Sequence, residues 1–158
     1  MNAQYTEESL PAPPENLSFD QVALRFIRIE PAEPSRGFVP YYNFRILVGG
    51  DDVGHINFRV GETEHLVYAG HIGFQVIKGF RGHGYAFQAC RAIAPLVSLI
   101  YPEVMITCDP DNTASRRTIE RLGASFIEEI PVPMHDPNYQ RGSRTKRRYR
   151  WKPGAPAK

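Results

Sequence analysis

The strongest chemical signature in this chain is the run Gln75-Val76-Ile77-Lys78-Gly79-Phe80-Arg81-Gly82-His83-Gly84-Tyr85-Ala86. An apolar stretch ends there, a turn with three glycines follows, and a segment of helical composition begins. Glycine lets the backbone turn sharply and, having no Cβ, lets a ligand approach the main chain. The first turn of a helix leaves N–H groups without internal partners, and these act with the helix dipole as a site for phosphate or pyrophosphate. Arg81 adds a cation at the rim. The bland alternative is a Gly-x-Gly turn that serves only the loop. Two other phosphate-binding patterns fit worse. A P-loop needs Gly-Lys-Ser/Thr at the helix start, and Gly84 is followed by Tyr85. A dinucleotide fingerprint needs glycine or alanine three residues after its second glycine, and Phe87 stands there.

The elements around this turn read as strands before it and as strands and helices after it. Residues 22–29 form a candidate first strand, and residues 36–39 a linker or short helix. Residues 42–48 and 53–60 alternate with period two around Gly49-Gly50-Asp51-Asp52, which is a hairpin signal. Residues 71–77 form a third strong strand. Residues 82–94 have helical composition, with Pro95 bending or ending the helix. Residues 104–108 are a short apolar strand of the buried type. Residues 115–122 form a helix with Asn112 as N-cap and Gly123 as the residue that stops it. Residues 124–130 and 147–151 complete the set. This order predicts an α/β fold: one mixed, mostly antiparallel sheet flanked by helices.

At 158 residues the chain fits one domain. We place that domain at residues 17–152, between a proline-rich flexible tail (1–16) and a short C-terminal tail (153–158). A net charge of +2 does not by itself call for nucleic acid or membrane. Cys90 and Cys108 make neither a disulfide framework nor a zinc pattern, so no metal is expected. No signal peptide opens the chain and no apolar run approaches the roughly 20 residues that span a bilayer, so the expected address is cytoplasmic and no membrane partner is expected.

Three motifs in order carry a family resemblance. Arg81-x-x-Gly84-x-Ala86 after an apolar strand resembles motif A of the GNAT acetyltransferase superfamily, Arg/Gln-x-x-Gly-x-Gly/Ala. Asp111-Asn112-Thr113-Ala114-Ser115 with Ile119-Glu120-Arg121-Leu122-Gly123 resembles the motif that follows it. Ala69-Gly70-His71-Ile72-Gly73-Phe74 resembles the branch that includes the ribosomal-protein N-terminal acetyltransferases. The likeness covers residues 22–151 and is specific over residues 71–123. It implies the acyl-CoA N-acyltransferase fold and an enzyme moving an acetyl group from acetyl-CoA to a primary amine on a small molecule or peptide. It leaves a homodimer open, since relatives are often dimers.

The resemblance also assigns roles. The pyrophosphate falls to the backbone of Arg81, Gly82, His83, Gly84, Tyr85 and Ala86. The thioester carbonyl falls to main-chain N–H groups of Gln75, Val76 and Ile77, with Val76 foremost, at a bulge where two strands part. Asn112 contacts the pantetheine or simply caps its helix. Many relatives carry a proton-donating Tyr where this chain has Ile119, so Ser115 is the candidate partner of the leaving thiolate; the alternative is an ordinary first-turn serine. His71 stands where the branch often has Glu and is the candidate base, against a structural strand residue. His55, Glu62, Glu64 and His65 are further candidates, and an amine arriving neutral needs no base at all.

The run from Arg141 to Lys152 is densely basic. It reads as a charged edge strand that resists sheet association, or as a site for an anionic partner, RNA or the 3′-phosphate of the coenzyme. Two other functions stand beside the enzyme: an acyl-CoA-binding protein without catalysis, motivated by Ile119 in place of Tyr, and, with less support, a nucleic-acid-binding module using the basic run.

Overall fold

The computed structural model describes residues 5–157. Its strands are β1 (Ser18–Phe19), β2 (Val22–Glu30), β3 (Tyr41–Val48), β4 (Asp51–Arg59), β5 (Ile72–Val76), β6 (Val104–Cys108), β7 (Ser125–Pro131) and β8 (Thr145–Trp151). Its helices are α1 (Glu64–Ala69), α2 (Tyr85–Ile100), α3 (Thr113–Arg121) and α4 (Pro137–Gln140).

The expected α/β arrangement of antiparallel strands flanked by helices is present, with the ladder divided into two sheets. The first has the order β1-β2-β3-β4-β5 and the second the order β6-β8-β7. Period-two alternation explains β3 and most of β4: Tyr42, Phe44, Ile46, Ile56 and Phe58 are fully buried while their neighbours are not. The ladder stops between β5 and β6. There the His71 N–H donates to the Met105 carbonyl at 2.8 Å. The returning bond, however, runs from the Met105 N–H to Nδ1 of the His71 ring at 3.0 Å. A side chain thus occupies the place of a main-chain acceptor, and beyond it the two strands diverge. One buried apolar cluster still joins both sheets, from Val22 and Phe44 through Ile93 to Tyr149 and Trp151.

Several elements differ from expectation for physical reasons. α2 continues for 16 residues through Pro95. Proline removes one helical bond there, but Ile93, Leu96 and Val97 are fully buried around it, and packing outweighs the loss. α1 lies between two expected strands, where the sequence suggested no element. β8 is the central strand of its sheet, so its basic residues do not guard an edge. Arg147, Arg148 and Arg150 face Glu129, Glu128 and Glu103 at 3.8, 2.6 and 3.3 Å. The N-terminal stretch packs from Leu10 onward: Leu10 and Leu17 are buried, and the Tyr42 hydroxyl donates to the Pro11 carbonyl at 2.5 Å. At the other end Arg91 donates to the Ala155 carbonyl at 3.2 Å. Residues 1–4 and Lys158, assigned to the tails, lie outside the described residues.

Candidate functional site

The parted strands open a cavity of about 620 Å³ between β5, the start of α2 and α3. It brings together Gln75, Val76, Arg81, Gly82, Gly84, Tyr85, Ala86, Asn112 and Ser115, which come from two distant stretches of the chain. Arg81, Arg117 and Arg121 also line it, and no carboxylate does. Among the described residues none of these three guanidinium groups has an acidic partner.

The turn before α2 is built by backbone geometry. Gly84 caps the helix at φ 76°, in the left-handed region where a residue with Cβ is strained. The side chain of Arg81 folds back so that Nε donates to the Val76 carbonyl at 2.9 Å, tying the turn to the end of β5. Arg121 lies over the Phe87 ring at 3.9 Å, which holds its guanidinium beside the helix N-terminus. The open helix end and three unpaired cations form a donor set that fits a diphosphate.

Val76 is set by strand alternation. The Ile77 N–H donates to Val53 on β4 at 2.8 Å, so the N–H and carbonyl of Val76 point the opposite way, into the cavity. The bulge expected here is absent: the register of β5 on β4 is regular from Ile72 to Val76. None is needed, because β5 is an edge strand and its outward groups have already lost a partner.

Asn112 caps α3, its side-chain oxygen accepting the Ser115 N–H at 3.1 Å. The Ser115 hydroxyl makes no hydrogen bond to the protein among the described residues, and Ser115 lines the cavity. Ile119 is fully buried, so the position that holds Tyr in many relatives is packed in the core here.

The remaining candidates lie elsewhere. Ile77 and His83 are exposed beside the cavity, with His83 stacked on Tyr85. His71 does not line this cavity. Its ring is buried, Nδ1 is occupied by Met105, and Nε2 lies 3.5 Å from Glu62 without a hydrogen bond. Burial lowers its pKa against the opposing pull of Glu62. His55 also lines neither cavity, and burial lowers its pKa too. Glu64 pairs with His135 at 2.9 Å.

A second cavity of about 200 Å³ shares Phe74, Asn112 and Ser115 with the first, so the two meet at Ser115. Arg59, His65, Asp109, Arg141 and Lys146 line it. His65 Nδ1 is 3.2 Å from Asp136. Arg59, Asp109, Arg117 and Arg121 were not singled out from the sequence. Only the last two had a signal: one helical turn apart, they follow the Asn112 cap on one face of α3.

Among the described residues no cluster of ligating side chains could hold a metal, and no helix is long and apolar enough to cross a membrane. No curated protein sequence matches the chain. Solved structures do match its fold. RimL, a ribosomal L7/L12 alpha-N-protein acetyltransferase in complex with coenzyme A, is 19% identical with a TM-score of 0.54. The match covers 73% of this chain and 63% of that one. The microcin C7 self-immunity acetyltransferase MccE, in complex with acetyl-CoA and AMP, is 18% identical with a TM-score of 0.54, over 70% and 59%. A Salmonella typhimurium acetyltransferase that modifies the N-terminal serine of 50S ribosomal subunit protein L7/L12 is 19% identical with a TM-score of 0.55, over 73% and 64%. The chain thus spans about three-fifths of the length of these proteins, and the likeness is one of fold. The acetyltransferase (GNAT) domain model matches residues 3–125, which include both strands that part and the glycine turn between them, and the chain belongs to the GNAT acetyltransferase family.

Proposed function

We propose that this chain transfers an acetyl group from acetyl-CoA to a primary amine by direct attack. The observation that carries this reading is the larger cavity: an open helix N-terminus, three arginines without acidic partners, and an edge strand presenting the Val76 N–H, all on one cleft. The main chain of residues 81–86, with Arg81, Arg117 and Arg121, holds the diphosphate and terminal phosphate of the coenzyme. The Val76 N–H donates to the thioester carbonyl oxygen, where negative charge grows as the amine approaches. The amine nitrogen bonds to the carbonyl carbon, the carbon–sulfur bond breaks, and the Ser115 hydroxyl supports the departing sulfur from the junction of the two cavities. The proton lost by the amine passes to solvent, and an amine that arrives neutral needs no dedicated base. His71 acts through the backbone, by holding Met105 where the strands part.

A second reading, coenzyme binding without catalysis, draws on the buried Ile119, which removes the usual proton donor. One experiment separates the two. The melting temperature is measured with CoA, acetyl-CoA and longer acyl-CoAs, followed by thiol release from acetyl-CoA across a panel of amines. Stabilisation with turnover supports acetyl transfer. Stabilisation without turnover on any amine supports the second reading, and no stabilisation removes both.

A further inference from the structure

The smaller cavity meets the larger one at Ser115, so in the acetyl-transfer reading, on which this inference rests, it receives the acceptor. Its charge is unusual. Lys146 is neutralised by Asp109 at 2.9 Å. Arg59 and Arg141 also face the cavity, and neither has an acidic partner among the described residues. Burial, opposed by Tyr41 and reinforced by the Arg141 charge, lowers the Arg59 pKa to about 10; Arg59 remains charged near neutrality. Gathering unpaired like charges in a recess costs free energy, and an anion there relieves it.

Arg59 is also held in place. Its Nη1 donates to the main-chain carbonyls of Ala69 at 3.3 Å and Gly70 at 3.2 Å. The guanidinium lies flat against Gly73, where a Cβ would stand 2.8 Å from Nη2. Glycine in β5 therefore leaves the space that the guanidinium fills. These bonds use one nitrogen, and a guanidinium has further donors in a planar fork that matches an oxyanion.

We propose that the amine acceptor carries an oxyanion, a carboxylate or a phosphate, near its amino group, and that Arg59 and Arg141 bind it in this cavity. The volume, equal to that of about seven liquid waters, suits one small head group. A polyamine or a polycationic antibiotic meets two positive charges and is disfavoured. The competing explanation is that Arg59 only staples the end of α1 to the sheet. It does not extend to Arg141, which is exposed and makes no such bond.

The test uses the full chain saturated with CoA for calorimetry and with acetyl-CoA for turnover. The probes are an α-amino acid, 2-aminoethyl phosphate, a neutral amine of similar size, and spermidine. Expected is a preference of roughly tenfold or more for the oxyanion amines, the usual scale for a charge-assisted contact. The amino acid and phosphate arms distinguish the two sources of the oxyanion. Arg141→Glu is expected to remove the preference through KM, and Arg59→Gln to weaken it, while CoA affinity in the same samples checks the fold. Equal or better binding and use of the neutral amine or spermidine overturns this proposal and leaves acetyl transfer standing. A preference that survives Arg141→Glu also overturns it. Failure to bind CoA removes the acetyl-transfer reading and this inference with it.

Discussion

The two cavities that meet at Ser115 differ in how they are built. The larger one is made from main-chain groups and from cations on nearby helical turns. Its turn, residues 75–86, is continuous in sequence, and its second half, residues 112–121, is a single capped helix. The smaller one is made from side chains drawn from β4, α1, β6, the region after α4 and β8. A site that must take the same diphosphate in every member of a family can be built locally from backbone. A site that must distinguish one amine from another is assembled from side chains on separate elements, each of which can change alone.

This contrast can be broken most directly at Gly84. Gly84→Val places a branched residue at φ 76°. Its cost of about 1–2 kcal/mol corresponds to a melting temperature lowered by roughly 2–8 °C, and coenzyme binding is expected to fall below detection. Calorimetry on protein shown to be folded by circular dichroism makes the check. Normal coenzyme affinity in that folded variant would mean that the backbone of the turn is not the anchor.

Next in size is Arg121→Glu, expected to weaken coenzyme binding by roughly 10- to 100-fold, with the deficit narrowing as salt is raised. Arg121→Gln measures how much of the loss comes from packing on Phe87 rather than from charge. If the two variants bind alike at low salt, the three unpaired arginines do not form the anion site. Ser115→Ala touches the residue both cavities share. It is expected to lower kcat by about tenfold with little change in coenzyme affinity, and an unchanged kcat removes Ser115 from the chemistry.

The smallest effect concerns the junction between β5 and β6. His71→Ala leaves the Met105 N–H without an acceptor and is expected to cost about 1–3 kcal/mol. His71→Gln can supply a side-chain oxygen and should recover part of it. Burial depresses the His71 pKa in the folded chain, against Glu62. Between that depressed value and about 6.5 the unfolded chain binds more protons, so stability rises with pH. The His71 contribution is complete above about 6.5 and is lost as pH falls toward the folded value. His55 is shifted in the same direction, so the signature of His71 is a shallower pH slope in His71→Gln, read by denaturant melts between pH 5 and 8. An identical slope would show that folding does not shift the His71 titration.

Much of the fold could be read from local pattern. Alternation marked β3 and β4, the glycine turn marked the start of α2, and Asn112 marked the start of α3, because each signal needs only a few neighbouring residues. Where reading failed, long-range packing had decided. Pro95 argued for a helix end, but burial of Ile93, Leu96 and Val97 carries α2 past it. The basic run argued for an edge, but its partners on β7 place it at the centre. A bulge was expected at Val76, yet the edge position of β5 alone exposes that N–H.

The amino-acid sequence alone determined the glycine turn and helix start on which the proposed coenzyme cleft is built, because the geometry of such a turn and the unpaired amides of a helix start are properties of consecutive residues. Only the tertiary structure decided that His71 would close one end of the gap between β5 and β6, and that Arg59 would lie on Gly73 opposite Arg141. Those juxtapositions join residues from 14 positions to more than 80 positions apart. The first exists only after the core has brought the two sheets together and the second only after β4 has paired with β5, and nothing in the local chain encodes them.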